Sequence, residues 1–172
     1  PMIYSKYILL KKADVSYTIS RQGYVKVSED VEYQLVCDSD EKFKEVYRQL
    51  PKGLPIKNPN GYCSNQNCIF RYDPAGYSVS GDPELVLELD NGCGSVVAHF
   101  EYDVYTLINH NDTVQFYYKL WGENSAKVDI LTVKVILPGN ANNTTYFIHP
   151  WNANVESSVS GLGNEIIIAG NN

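Results

Sequence analysis

The stretch VAHFEYDVY, residues 97–105, decides the fold class because every second side chain in it is apolar. Ala98, Phe100, Tyr102 and Val104 alternate with a histidine and two acidic residues. Successive side chains of an extended chain point to opposite faces, so this spacing puts the four apolar side chains on one face. The period of two predicts a strand with one face buried and one face in water.

The same alternation recurs along the chain, and polar turns separate the segments at intervals of about 10 residues. All-β chains of this size commonly form one domain. The sequence therefore predicts a single domain over residues 1–172, an antiparallel β-sandwich of the immunoglobulin-like kind. The other strand-like segments are residues 14–20, 31–37, 84–90, 114–120, 129–137 and 165–170.

Two regions depart from this pattern. Phe43, Val46, Tyr47 and Leu50 have the i, i+3, i+4, i+7 spacing of an amphipathic helix, which predicts one short surface helix ending before Pro51. Residues 51–83 are rich in Gly, Pro and Asn, which predicts an irregular, turn-rich excursion between strands.

The charge of the chain argues against nucleic acid as a partner. The formal net charge is −6, and the 14 Lys and Arg residues are scattered. Nucleic-acid binding needs a basic surface that replaces the counterions of the phosphates. There is also no apolar run of about 18 residues, so no transmembrane helix is predicted within the chain.

The four cysteines, Cys37, Cys63, Cys68 and Cys93, allow three pairings. Cys63 and Cys68 bracket a loop short enough for a disulfide, which leaves Cys37 and Cys93 as the second pair. Zinc is disfavoured because structural zinc sites usually present two close pairs of ligands. Two disulfides are the preferred interpretation, ahead of buried free thiols and of zinc.

Three Asn-x-Thr sequons begin at Asn111, Asn142 and Asn143, each in or beside a predicted turn where a glycan has room. With the even number of cysteines, they favour an extracytoplasmic location.

Catalytic patterns are absent from the sequence. His99, His110 and His149 lack the spacing of a metal site, and no phosphate-binding glycine loop or nucleophile elbow occurs. We therefore expect no metal, no cofactor and no enzymatic activity. Glu101 and Asp103 lie on the polar face of their strand and are expected to be solvated.

Aromatic side chains on the polar faces of strands are the best ligand candidates. Tyr117 and Trp121 share the outward face of residues 114–121, and Tyr105 is expected on a neighbouring strand. Such rings stack on sugars or anchor protein partners, but a second layer of structure can also cover them.

Three segments carry a resemblance to a known family. The first begins with a strand, a Gly-containing turn and a Val-x-Glu-x-x-x-Tyr strand, with Gly23, Val27, Glu29 and Tyr33 at those positions. The second is an aromatic-Arg-x-x-Pro step at residues 47–51.

The longest similar block covers residues 100–139, in which a tyrosine strand, an Asn-Asp turn, an aromatic strand, a Trp-Gly turn and a Leu-Pro strand end follow one another. These features resemble the domain of unknown function 2207 family. The resemblance implies an extracytoplasmic β-sandwich attached to a membrane through segments outside this chain, with no established activity. The positions are Tyr102 and residues 111–112, 116–118, 121–122 and 137–138.

Three functions follow as hypotheses. The preferred one is a noncatalytic extracytoplasmic domain of a membrane-anchored protein that binds a protein or another cell-envelope component. The alternative is a carbohydrate-binding module that uses Tyr105, Tyr117 and Trp121. An enzyme with a site in the turn-rich region is the third.

Overall fold

The computed structural model describes residues 6–37, 40–75, 81–111, 114–116, 127–140, 145, 154–160 and 164–171. This part of the chain is built from strands and contains no helix. The strands are β1 (Tyr7–Ile19), β2 (Val25–Val36), β3 (Glu45–Gln49), β4 (Ile56–Cys63), β5 (Cys68–Asp73), β6 (Glu84–Leu89), β7 (Gly94–Val104), β8 (Leu107–Asn109), β9 (Val114–Phe116), β10 (Val128–Ile136), β11 (Asn154–Ser160) and β12 (Glu165–Asn171).

A seven-stranded sheet forms one layer, in the order β11-β12-β10-β1-β2-β7-β4. Strands β1 and β10 run parallel, and the other neighbouring pairs run antiparallel. The central strands β2 and β7 pair from Val25↔Val104 to Leu35↔Gly94 without a register shift. This long pairing fixes which side chains face inward, because a slip of one residue would invert both faces.

A three-stranded sheet, β3-β6-β5, contacts β2 and β4 of the large sheet, and a small β8–β9 hairpin forms a third unit. Phe116 of the hairpin lies against Tyr17 of β1, with ring centroids 5.3 Å apart.

The core lies between the two sheets and follows the alternation seen in the sequence. Ala98, Phe100, Tyr102 and Val104 of β7 are all fully buried or nearly so. Their partners on β2 and the inward residues of β6 complete one cluster. The predicted all-β sandwich is confirmed, while its immunoglobulin-like character stays a prediction.

The predicted surface helix around residues 43–50 is wrong, because Glu45–Gln49 forms β3, paired with β6. Val46 and Leu50 point into the core, and so does Arg48, which is only 5% exposed. Tyr47 points outward and is 52% exposed. The inward arginine breaks the apolar alternation in the sequence, and the remaining apolar residues then mimic a helical spacing.

The predicted irregular excursion over residues 51–83 is also wrong in part, since it contains β4 and β5. Strand β4 is not recognisable in the sequence because a bulge interrupts its alternation. At this bulge the pairing with β7 shifts between Lys57 and Asn60. Asn58 has a φ of 52° there, a backbone conformation that asparagine tolerates better than most residues.

Candidate functional site

The centre of the sandwich holds a buried ion pair between the two sheets. Arg48 of β3 donates to both carboxylate oxygens of Glu29 on β2, with Nε 2.6 Å from Oε2 and Nη2 3.2 Å from Oε1. Glu29 is completely buried. The planar guanidinium matches a carboxylate in this two-point geometry. The pair therefore links the large sheet to the small sheet at a fixed position.

Two tyrosines surround the ion pair. The Tyr102 hydroxyl lies 3.5 Å from Oε1 of Glu29, and Tyr33 donates to the carbonyl oxygen of Tyr47 at 3.4 Å. Burial alone would lower the pKa of Arg48, but the Glu29 carboxylate raises it above its ordinary value, so the guanidinium stays charged. Burial also raises the pKa of Tyr33, which stays neutral. The charges neutralise each other, which favours a structural role for this network.

Each residue of this network belongs to one of the segments that resemble the known family. Glu29 and Tyr33 belong to its first segment, Arg48 to its second and Tyr102 to its longest block. The sequence separates Glu29 from Tyr102 by 73 positions, and the structure brings the two side chains together.

One end of the sandwich collects all four cysteines. Cys37, directly after β2, and Cys93, directly before β7, are joined by a disulfide whose Cα atoms lie 5.7 Å apart. Cys63 and Cys68 are separate thiols in the structure, so the second disulfide stays a prediction.

Gly92, next to this disulfide, allows two backbone segments to meet. Phe43 donates its backbone N–H to the Gly92 carbonyl at 2.9 Å. A Cβ atom at position 92 would lie 1.7 Å from the carbonyl oxygen of Phe43, which is backbone and cannot rotate away.

Replacing Gly92 with alanine is expected to lower the free energy of unfolding by about 3 kcal/mol, since the segment that leads into β3 must move. Urea denaturation with and without the substitution measures this. Gly139→Ala is the control, because nothing lies within 4 Å of a Cβ atom at that position. Equal stability of the two variants would contradict the expectation.

The ligand candidate Tyr105 lies just beyond β7 and is 42% exposed. Its ring centroid is 5.8 Å from that of Tyr24, and Nζ of Lys57 lies 4.8 Å from its centroid. Tyr117 and Trp121, the other two candidates, lie outside the described residues. Tyr24 and Lys57 could not be identified from the sequence, because their proximity to Tyr105 depends on the pairing of both β2 and β4 with β7.

A second exposed aromatic group lies on the outer face of the large sheet. Tyr62 is 51% exposed and stacks on the ring of His99, with centroids 4.7 Å apart. His99 Nδ1 is 2.8 Å from Oδ1 of Asp30, and Nε2 is 3.3 Å from Oε2 of Glu101. The hydrogen bond from His99 lowers the pKa of Glu101. His99 therefore lies on the face of β7 opposite the buried Ala98, Phe100, Tyr102 and Val104.

Of the predicted glycosylation positions, Asn111 is exposed and follows β8, whereas Asn142 and Asn143 lie outside the described residues. Glycosylation stays a prediction.

Among the described side chains, no group of three or more His, Cys, Asp or Glu residues is arranged to hold a metal ion. The same residues include no helix of the length and apolar character needed to cross a membrane.

Three solved structures with a similar fold are much longer than this chain. Native yeast LTA4 hydrolase aligns with a TM-score of 0.59 at 10% identity, over 95% of this chain and 28% of that one. The leukotriene A4 hydrolase structure from Saccharomyces cerevisiae gives 0.58 at 12% identity, over 95% and 29%. An M1 zinc metallopeptidase from Deinococcus radiodurans gives 0.52 at 10% identity, over 95% and 38%.

At these identities the similarity shows the fold alone, because one fold supports many functions. This chain spans between 28% and 38% of the three matched chains.

No curated protein matches the chain. Residues 10–172, nearly the whole sequence, match the family described as "Predicted membrane protein (DUF2207) N-terminal domain". The resemblance of the strand and turn motifs is thereby confirmed. The chain belongs to the DUF2207 N-terminal domain family of predicted membrane proteins.

Proposed function

We propose that this chain is the extracytoplasmic, noncatalytic domain of a membrane-anchored protein and that it binds a protein or another component of the cell envelope. The disulfide between Cys37 and Cys93 carries the proposal. Disulfides persist in oxidising compartments and are rare where thiols are kept reduced. The family is described as one of predicted membrane proteins. In this proposal the chain is attached to the membrane through a segment outside it.

The distribution of charge supports a binding role rather than catalysis. The buried charged pair is mutually neutralised, and Arg71 on the outer face of the small sheet forms ion pairs with Glu45, Asp73 and Glu88. Charges paired in this way are neutralised by neighbouring protein groups. Exposed tyrosines, by contrast, are common anchors of protein partners.

The location is tested in the full-length protein by cysteine labelling in intact cells. Cys63 and Cys68 are replaced by serine, and Gln22→Cys is added in the exposed turn between β1 and β2. We expect a membrane-impermeant maleimide to label this cysteine before lysis. Val27→Cys, at a fully buried position, is the control and should label only after denaturation. Labelling of Gln22→Cys only after lysis would place the domain in the cytoplasm and overturn the proposal.

Carbohydrate binding is the second candidate function, and the exposed Tyr105 favours it. An accessible ring beside a second tyrosine and a lysine offers a stacking face with polar groups around it. The hypothesis also includes Tyr117 and Trp121, which follow β9 in the sequence.

Replacing Tyr105 with alanine is expected to weaken sugar binding at least about tenfold, the usual effect of removing a central aromatic anchor. Isothermal titration against a panel of envelope polysaccharides measures this. Tyr47→Ala removes an equally exposed tyrosine from the small sheet and should leave the affinity unchanged. No heat from any polysaccharide, or equal losses in both variants, would exclude this function.

A further inference from the structure

Cys63 and Cys68 lie where the chain passes from one sheet to the other. Cys63 ends β4 and pairs with Ala98 of the large sheet, whereas Cys68 begins β5 and pairs with Leu89 of the small sheet. Strands β4 and β5 contact each other, and only four residues connect the two cysteines. A bond between their sulfurs would therefore connect the two layers of the sandwich.

The four-residue loop between the two cysteines is anchored to the β6–β7 connection and to the first residues of β7. Asn65 donates to the carbonyl oxygen of Ser95 at 2.9 Å and accepts the N–H of Val97 at 3.0 Å. Gln66 exchanges two hydrogen bonds with the backbone of Asn91, at 3.0 and 2.9 Å. These bonds hold the loop in its doubled-back shape, which keeps Cys63 and Cys68 at the same end of the sandwich.

The two cysteine pairs differ in the loop that a bridge closes and not in burial, because all four cysteines are half-buried. Small reagents therefore reach Cys63 and Cys68. Burial, with a contribution from Cys68, raises the pKa of Cys63 to about 12, which keeps it protonated and slow to react at neutral pH. Cys37 and Cys93 are already joined, and their bridge closes a separation of 56 residues rather than a short loop.

We propose that Cys63 and Cys68 form a reversible dithiol–disulfide couple that links the large sheet to the small sheet, while Cys37–Cys93 remains the permanent bridge. The oxidant is a low-molecular-weight disulfide, and the couple works on either side of a membrane. The inference is therefore independent of the location proposed above.

The reaction is thiol–disulfide exchange in two displacements. One protein thiolate attacks the small disulfide, forming a mixed disulfide and releasing one small thiolate. The second protein thiolate attacks the protein sulfur of that mixed disulfide, forming the Cys63–Cys68 bond and releasing the second small thiolate. Two electrons pass from the protein sulfurs to the small disulfide, and the two thiol protons protonate the released thiolates.

To test this, the purified chain is equilibrated in buffers that differ in the ratio of reduced to oxidised glutathione. Each sample is then quenched with acid and alkylated, and its cysteine peptides are identified by mass spectrometry. We expect Cys63 and Cys68 to change together from alkylated to bridged across the series, with Cys37 and Cys93 bridged throughout. We also expect the initial rate to rise with pH from about pH 7, because the thiolate is the attacking species. The proposal would be overturned if Cys63 and Cys68 were still recovered as alkylated thiols after equilibration with oxidised glutathione. It would also be overturned if the Cys63–Cys68 and Cys37–Cys93 bridges opened at the same glutathione ratio.

Single cysteine variants distinguish a coupled Cys63–Cys68 pair from two thiols that react independently. Cys63→Ser and Cys68→Ser should each stop at a stable mixed disulfide with glutathione, because the second displacement lacks its nucleophile. Phenylarsine oxide, which bridges neighbouring thiols, should be retained by the reduced parent chain and lost from both variants. Retention by either variant, or mixed disulfides accumulating on the parent chain, would show that the thiols react separately. These results do not depend on the labelling of Gln22→Cys in cells, so the proposed couple and the proposed location are tested separately.

Discussion

Replacing Arg48 with alanine is expected to lower the free energy of unfolding by about 3–5 kcal/mol, the usual cost of leaving a buried charge without its partner. The Glu29 carboxylate would remain between the sheets, completely buried, with the distant Tyr102 hydroxyl as its neighbour. Urea denaturation monitored by tryptophan fluorescence and by circular dichroism measures the loss. Few single substitutions exceed this range.

Two further variants show whether the buried charge is the cause. Removing both charges, with Glu29→Leu and Arg48→Met, should cost less than Arg48→Ala, because apolar residues of similar volume often replace a buried ion pair without loss. Arg71→Ala is the control on the same small sheet, and its more exposed ion pairs should cost at most about 1 kcal/mol. Equal losses for Arg48→Ala and Arg71→Ala would contradict a special role for the buried pair.

The large sheet could be predicted because its inward positions are almost all apolar. On β7 the alternation of Ala98, Phe100, Tyr102 and Val104 is unbroken, and the structure buries all four. Burial of one face forces this period of two on any strand that has water on its other face.

Strands β3 and β5 of the small sheet and β4 at the edge of the large sheet could not be predicted in the same way. Strand β3 is short and puts Arg48 into the core, and an inward charge cannot be recognised without knowing its partner on β2. In β4 the bulge at Asn58 and the glycine at position 61 resemble turn signals. Gly61 is needed there because a Cβ atom would lie 3.0 Å from both the His99 carbonyl oxygen and the Phe70 ring.

Individual residues of the candidate site could be predicted from the sequence, but the contacts between them could not. Tyr105 was recognised as an outward aromatic, but its contacts with Tyr24 and Lys57 depend on tertiary pairing. The stacking of Tyr62 on His99 was likewise hidden, because β4 was not recognised as a neighbour of β7. Sequence motifs placed Glu29 and Arg48 in the family resemblance without indicating that they touch.

Removing the Cys37–Cys93 disulfide is expected to lower the free energy of unfolding by about 4 kcal/mol, because the bridge restricts a long loop in the unfolded chain. The bridge spans 56 residues, and the cost of closing a loop grows with the logarithm of its length. The substitution is Cys37→Ser with Cys93→Ser, so that no new free thiol is created. The measurement is the urea denaturation midpoint of the purified chain without reductant.

The matched control replaces Cys63 and Cys68 with serine. A bridge between these two residues would close only a short loop, so its removal should cost about 2 kcal/mol when they are oxidised and much less when they are reduced. Adding a phosphine reductant to the parent chain should reproduce the lower stability of the Cys37→Ser, Cys93→Ser variant. If that variant instead matches the parent chain without reductant, the bridge contributes nothing to the fold. The extracytoplasmic proposal would then lose the observation that carries it, and the buried pair of Glu29 and Arg48 would remain as the main polar link between the sheets.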